Sequence, residues 1–223
     1  MVTHPPILTF KPRRGRVTPG QQRALDALWP AYGVEIRPER LDVPAVFGRI
    51  APLILEIGFG MGEATAELAA ADPTRDVLAV DVHTPGAGAL LARVERLGLS
   101  NVRVGLGDAR DALRDMLGPG SLAEVRAFFP DPWPKARHRK RRLVEPHFAR
   151  LVADRLRPGG RLHCVTDCAT YAEQMLAVID AEPALHSVFG GVAPRPAWRP
   201  MTRFETQARA RGHDVVDVIA ARW

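Results

Sequence analysis

From Leu53 onward the chain alternates short apolar runs with stretches of helical periodicity. The runs at 53–57, 77–82, 102–106, 125–129 and 162–166 carry few polar residues, as strands buried on both faces do. Between them the spacing predicts helices at about 62–71, 86–98, 109–117, 143–156 and 169–182. In the fourth, Val144, Phe148, Leu151, Val152 and Leu156 recur at helical intervals, and Pro158-Gly159-Gly160 follows as a stop. Repeated strand–helix alternation predicts an α/β fold, with a mostly parallel sheet and helices on both faces. A last apolar run at 215–220 reads as one further strand. Residues 1–50 differ. They are Pro-rich, basic at Lys11, Arg13, Arg14 and Arg16, and carry one helical pattern at about 19–29 through Leu25, Leu28 and Trp29. This predicts an arm over 1–50 laid on a single domain over 51–223.

Composition narrows the class. A chain of 223 residues that is 46% apolar can bury the core of one such domain. No run approaches the roughly 18 apolar residues of a membrane helix, and Met1 to Phe10 lack the basic-then-apolar pattern of a leader. A soluble, cytoplasmic protein is expected. Cys164 and Cys168, and the histidines His4, His83, His138, His147, His163, His186 and His213, show no ligand spacing, so no metal is expected. The net charge of +6 has one source: 135–142 holds six basic residues in eight and no acid, while the remaining chain balances 25 basic against 25 acidic residues. Solvated faces usually mix signs. An unmixed cluster predicts a polyanionic partner, a nucleic acid whose phosphates it neutralises.

The run at 53–57 leads into Gly58-Phe59-Gly60-Met61-Gly62 and then a helical pattern. Glycines there form a tight turn that lets backbone approach a ligand closely. The spacing is G-x-G-x-G with Glu56 just before it, whereas dinucleotide enzymes favour G-x-G-x-x-G with pyrophosphate on the helix N-terminus. A carboxylate at that point repels a pyrophosphate and attracts a cationic ligand. Asp81 ends the second strand, where it can accept ribose hydroxyls. Asp108 follows the third, where it can meet an adenine amino group or merely cap the next helix.

Phe128-Phe129-Pro130-Asp131-Pro132-Trp133-Pro134-Lys135 is the most specific segment. The prolines flanking Asp131 restrict it and its neighbours to extended or turn geometry, at the end of a central strand. A fixed carboxylate, a flat indole and a phosphate binder in succession suit a nucleobase drawn out of its stack. In the tail, Thr202-Arg203-Phe204-Glu205 reads as a helix start, with Thr202 as N-cap and Glu205 completing a capping box. Such an N-terminus with Arg203 beside it can also take a phosphate or a base edge.

The runs 55–62, 81–88 and 128–142, Thr166-Asp167, and Arg199-Pro200-Met201-Thr202-Arg203-Phe204-Glu205 together resemble the bacterial tRNA (guanine-N7-)-methyltransferases, as do Gly15-Arg16 and Gln21-Gln22 in the arm. The resemblance implies a Rossmann-like class I methyltransferase sheet with a closing C-terminal antiparallel strand. It also implies methyl transfer from S-adenosyl-L-methionine to N7 of a guanine in the tRNA variable loop, by a monomer or homodimer. By matching motif, Glu56, Gly58, Gly60, Gly62, Asp81, Asp108 and Asp131 would hold the cofactor, with Asp131 also catalytic. Lys135, Asp167, Thr202, Arg203, Phe204 and Glu205 would contact the substrate, and Arg137, His138, Arg139, Lys140, Arg141 and Arg142 the RNA. Asp81 stands where the family carries Glu, Pro134 where it carries His, and Arg203 where it carries Lys.

Guanine N7 carries a lone pair, so that chemistry needs alignment and no general base. Positive charge moves from sulfur to the purine, and a carboxylate nearby favours the product-like transition state. Asp131 can serve in that way, or accept hydrogens from guanine N1 and N2; both roles need it ionised. Two other classes stay open on residues alone. A nicotinamide oxidoreductase would leave the basic cluster and the Pro-Asp-Pro-Trp segment unexplained, and a non-catalytic RNA-binding protein on a methyltransferase-like scaffold would transfer no methyl group to tRNA.

Overall fold

A computed structural model describes residues 8–11 and 15–223; His4, Arg13 and Arg14 lie outside the described residues. In chain order the elements are α1 (Pro19–Tyr32), β1 (Gly33–Glu35), α2 (Val43–Phe47), β2 (Leu53–Ile57), α3 (Glu63–Ala71), β3 (Asp76–Asp81), α4 (Thr84–Leu97) and β4 (Val102–Leu106). Then come α5 (Ala109–Asp111), running into a π turn at Ala112–Met116, and β5 (Leu122–Phe128), followed by a 3₁₀ turn at Ala136–Arg141. The chain finishes with α6 (Pro146–Arg155), β6 (Leu156–Thr166), α7 (Ala169–Asp180), β7 (Leu185–Ser187), α8 (Arg203–Ala210) and β8 (Val216–Arg222).

The strands form one sheet in the order β1-β4-β3-β2-β5-β6-β8-β7. Pairing is parallel from β1 through β6, and β8 enters antiparallel between β6 and β7. This is the class I methyltransferase arrangement, closed by an antiparallel strand. The chain moves outward from β2 through β3 to β4, then returns to place β5 on the other side of β2. Open α/β sheets bind ligands where the order reverses, here above the C-terminal ends of β2 and β5.

Because alternate side chains leave a strand on opposite faces, β2 and β3 serve two cores. Leu55, Leu78 and Val80 join Leu113, Phe148, Val152 and Tyr171 on one face. Ile54, Val77 and Ala79 join Ala66, Leu90, Leu91 and Val94 on the other. Helix α1, held by a reciprocal Thr18–Gln21 capping box, lies on α4 with Leu25, Leu28 and Trp29 turned inward. The approach is so close that a Cβ on Gly88 would sit 2.6 Å from the Gln21 carbonyl oxygen. The first fifty residues therefore contribute to the sheet as well as covering it, since β1 pairs with β4. No helix among the described residues is long and apolar enough to cross a membrane.

Several boundaries differ from expectation for local reasons. The helix expected over 143–156 starts at Pro146, where the Glu145 carboxylate caps it by accepting from the His147 and Phe148 amides. Pro158-Gly159-Gly160 lies inside β6 at a register shift against β5; the helix has already ended at Arg155. Strand β5 starts three residues early, at Leu122, and stops before Phe129. The elements without a sequence signal, β1, α2 and β7, are three to five residues long, too short for either periodicity to register.

Candidate active site

At the switch point Gly58, Gly60 and Gly62 take φ of 80°, 60° and 77°, a region that costs side-chain-bearing residues. Gly62 is closed in, since a Cβ there would lie 2.7 Å from Leu90 Cβ, while Gly58 and Gly60 face nothing within 4 Å. The turn is pinned by Asp81, whose Oδ2 accepts the Gly60 amide at 2.8 Å and whose Oδ1 accepts the His83 amide at 3.0 Å. Asp108 caps α5 by accepting the Arg110 amide at 2.9 Å, and pairs with the Arg110 guanidinium at 2.7 Å. Glu56 does not line the cavity. Its side chain is buried toward α3, where Oε1 accepts the Thr65 hydroxyl at 3.0 Å, and Oε2 has no hydrogen-bond partner among the described residues. Burial, partly offset by Arg126 and Thr65, pushes the Glu56 carboxyl up to about 7.

Across the crevice stand the only two described non-glycine residues at positive φ: Phe129 at 53° and Trp133 at 42°. Left-handed backbone at bulky residues is strained and must be held by surroundings. The Phe129 amide donates to the Val165 carbonyl at 2.8 Å. Trp133 is buried, donates Nε1–H to the Thr9 carbonyl at 3.0 Å and carries the Arg141 guanidinium 3.7 Å above its ring. Between them Asp131 Oδ2 accepts the Lys11 amide at 2.7 Å. Arg141 donates to the carbonyls of Leu8 and Phe10, so residues 8–11 lie as a strap along this side of the site.

These pieces line one cavity, with Gly58, Gly60, Asp81 and Asp108 on one side, Phe128 to Asp131 on the other, Thr9 to Lys11, and Phe204 from the tail. Bare glycine backbone on one wall and carboxylates at three strand ends fit a nucleoside with a cationic end. Phe204 stacks on Phe129, ring centroids 6.0 Å apart at 23°. Among the described residues no group of His, Cys, Asp and Glu could hold a metal ion.

Other expected site residues fall elsewhere. Glu205 was expected at the substrate, but its carboxylate is fully buried and accepts from Arg195 at 2.8 Å, Arg199 at 2.6 Å and Arg209 at 2.9 Å. Burial alone would raise its pKa; the three guanidiniums overcome this and hold it lowered. Arg199, 1% exposed, also pairs with Asp217, which His163 contacts at 2.7 Å. This buried charge chain fastens α8 to β8 and β6. Thr202 caps α8, its hydroxyl accepting the Glu205 amide at 3.1 Å; the capping box stays half-formed because Glu205 is taken by arginines. Arg203 is exposed, and Asp167 pairs with His213 at 3.5 Å.

The basic cluster divides likewise. Lys135, Arg137, Arg139 and Lys140 are exposed, and His138 lies edge-on to Trp133, its pKa lowered by desolvation and the surrounding cations. Arg142 was expected on RNA, yet it is 1% exposed and hydrogen-bonded inside the protein. Sequence reasoning passed over Phe129, Arg199 and the strap. Phe129 had a visible signal, lying directly before Pro-Asp-Pro; Arg199 had none beyond its place in a motif.

Residues 50–218 match a family model described as "Putative methyltransferase". A tRNA (guanine-N(7)-)-methyltransferase of Streptomyces avermitilis is 55% identical over 97% of this chain and 75% of its own length. One of Streptomyces coelicolor is 55% identical over 97% and 81%, and one of Burkholderia cenocepacia 52% identical over 97% and 85%. Among solved structures, the 16S rRNA methyltransferase KamB aligns with a TM-score of 0.60 at 16% identity over 82% of this chain and 94% of that one. An rRNA methylase from Streptococcus thermophilus gives 0.53 at 17% over 77% and 87%. These last two speak for the fold alone. Identity above half along nearly the whole chain decides the family: this chain belongs to the tRNA (guanine-N(7)-)-methyltransferases.

Proposed function

We propose that this chain, an S-adenosylmethionine-dependent tRNA (guanine-N7-)-methyltransferase by family, modifies a guanine of the tRNA variable loop with Asp131 as its catalytic carboxylate. The observation that carries the reading is the position of Asp131, fixed in a strained turn and lining the same cavity as Gly58, Gly60, Asp81 and Asp108. When bound, S-adenosylmethionine supplies a methyl group on a sulfonium that departs as a neutral thioether. Gly58 and Gly60 would let it approach the backbone, and Asp81 and Asp108, on the same wall, would hold its ribose and its adenine. Glu56 lies buried behind the turn outside the cavity lining, so its charge acts on the cationic end through the field it adds there.

Asp131 already accepts one amide N–H, from Lys11. It takes guanine N1–H and N2–H in the same manner, which aims N7 at the methyl group and places negative charge beside a purine becoming cationic. Phe129 and Phe204 present stacked rings at the cavity, a surface suited to a purine face. Lys135, Arg137, Arg139 and Lys140 engage phosphates, and Arg203 and Asp167 contact the substrate. The arm over 1–50 works as a cover on the domain over 51–223. The cavity is built by one chain, so a monomer suffices, and a homodimer would carry two such sites. The reaction belongs in the cytoplasm, with tRNA.

Incubation with an unmodified tRNA transcript and S-adenosylmethionine, then nucleoside analysis, tests this directly. One 7-methylguanosine is expected per tRNA, lost when the variable-loop guanine is replaced by adenine. Methylation that survives this replacement would refute the assigned position.

A further inference from the structure

Pro130 and Pro132 have no amide hydrogen, so within the turn from Phe129 to Trp133 the residue that carries Asp131 sits between two positions that cannot donate. The turn is held on its near side by the Phe129 amide, which donates to the Val165 carbonyl at 2.8 Å. Its two ends are in left-handed backbone, so it relaxes unless something outside grips it. The grip on its far side comes from Arg142. The Arg142 Nε–H donates to the Pro132 carbonyl at 2.9 Å, one residue beyond Asp131. Its other nitrogens donate to the Thr170 carbonyl and to Gln174 Oε1, both at 2.9 Å, and to the Thr170 hydroxyl at 3.0 Å. The guanidinium lies 4.7 Å from the centre of the Tyr171 ring.

From this geometry we infer that Arg142 is a positioning residue, which clips the Asp131 turn to the first turns of α7, and not an RNA contact like its exposed neighbours. The inference rests on the reading of Asp131 as the catalytic carboxylate. Its partners are all neutral: no ion pair to Arg142 occurs among the described residues. A buried cation without a counter-ion is costly, and what it gains here is a planar fork that reaches a loop carbonyl and a helix terminus at once. Lysine keeps the charge but has no such fork. A phosphate contact tolerates that exchange, whereas a clip does not.

The discriminating variant is therefore Arg142→Lys, made alone and together with Asp131→Asn. Both are assayed for methyl transfer at saturating tRNA and S-adenosylmethionine, and for the tRNA Michaelis constant. Asp131→Asn alone is expected to lower turnover at least about tenfold, as is Arg142→Lys alone with the Michaelis constant within about twofold of wild type. The double variant should be little worse than Asp131→Asn, because a clip acts only through the group it places. Thr170→Val, which removes one bond of the clip at an exposed residue, should lower turnover about threefold; it carries the same test if Arg142→Lys does not fold. Normal turnover for folded Arg142→Lys overturns the inference. So does an effect confined to the tRNA Michaelis constant, or full multiplication of the two losses. Normal turnover for Asp131→Asn overturns the catalytic reading instead, and the clip's purpose falls with it.

Discussion

Replacing Glu56 by Gln tests the electrostatics behind the glycine turn, because the change removes a charge while keeping an oxygen that can accept from Thr65. The Glu56 carboxyl is pushed up to about 7 from 4.5, first by burial. The folded protein thus holds this proton more tightly than the unfolded chain, and stability falls as pH rises from about 4.5 to about 7. Converted at 1.36 kcal/mol per pH unit, the loss approaches about 3 kcal/mol once the group is ionised. Glu56→Gln carries no such penalty. At pH 8 without cofactor it should be more stable by up to about 3 kcal/mol, or roughly 6–12 °C in melting temperature for a chain this size. The gain should shrink toward zero near pH 5, where wild-type Glu56 is protonated. Thermal melts of both proteins at pH 5, 6.5 and 8 measure this. A variant no more stable at pH 8, or a difference independent of pH, refutes the argument. The cofactor role has a separate readout: S-adenosylmethionine affinity at pH 8 should fall in Glu56→Gln despite the gain in stability.

Arg199→Met leaves Glu205 with two arginines but breaks the buried link to Asp217; unfolding should show a loss of about 3 kcal/mol, and a loss below about 1 kcal/mol would mean the charge chain is dispensable. Thr202→Ala removes only a cap and should cost about 1 kcal/mol with normal activity per folded molecule. Arg203→Ala, at an exposed residue, should raise the tRNA Michaelis constant or lower turnover with melting temperature unchanged; wild-type kinetics would remove Arg203 from the site. Neutralising Arg137, Arg139 and Lys140 together should weaken tRNA binding and lower the slope of log affinity against log salt by just under one unit per lost phosphate contact, and an unchanged slope would show that these cations meet no phosphate.

The sequence made the sheet legible where strands are long and apolar. All five expected runs from 53–57 to 162–166 became strands of the parallel set, and 215–220 became the antiparallel β8. Periodicity could not see β1 or β7, which exist because neighbouring strands leave edges to pair. In the site, Asp81, Asp108 and Asp131 were placed correctly at strand ends because strand–turn boundaries are local. Their partners were not legible: that Asp81 reaches Gly60 and Asp131 reaches Lys11 depends on chain crossings of 21 and 120 residues. Charge was read as exposure, whereas Glu205 and Arg142 are buried. A residue letter carries its charge but not its burial: Glu205 is buried among three nearby arginines, and Arg142 among neutral acceptors. The strained φ of Phe129 and Trp133 was likewise hidden, since neither residue type signals left-handed backbone.

The insertion of β8 between β6 and β7 sets the order in which the molecule comes apart. β7 has no neighbour in the sheet except β8, and α8 is tied down through Arg199 to Asp217, which is itself a β8 residue. When β8 leaves, β7 loses its ladder and α8 loses its anchor, while the glycine turn, Asp81 and Asp108 remain on strands that never touched it. The edge from α8 to β8 should therefore open as one cooperative unit, and in a hydrogen-exchange experiment its amides are expected to exchange together at a free energy below that of global unfolding. The half of the crevice built by the glycine turn, Asp81 and Asp108 is expected to persist through that opening, and the half that carries Phe204 is not.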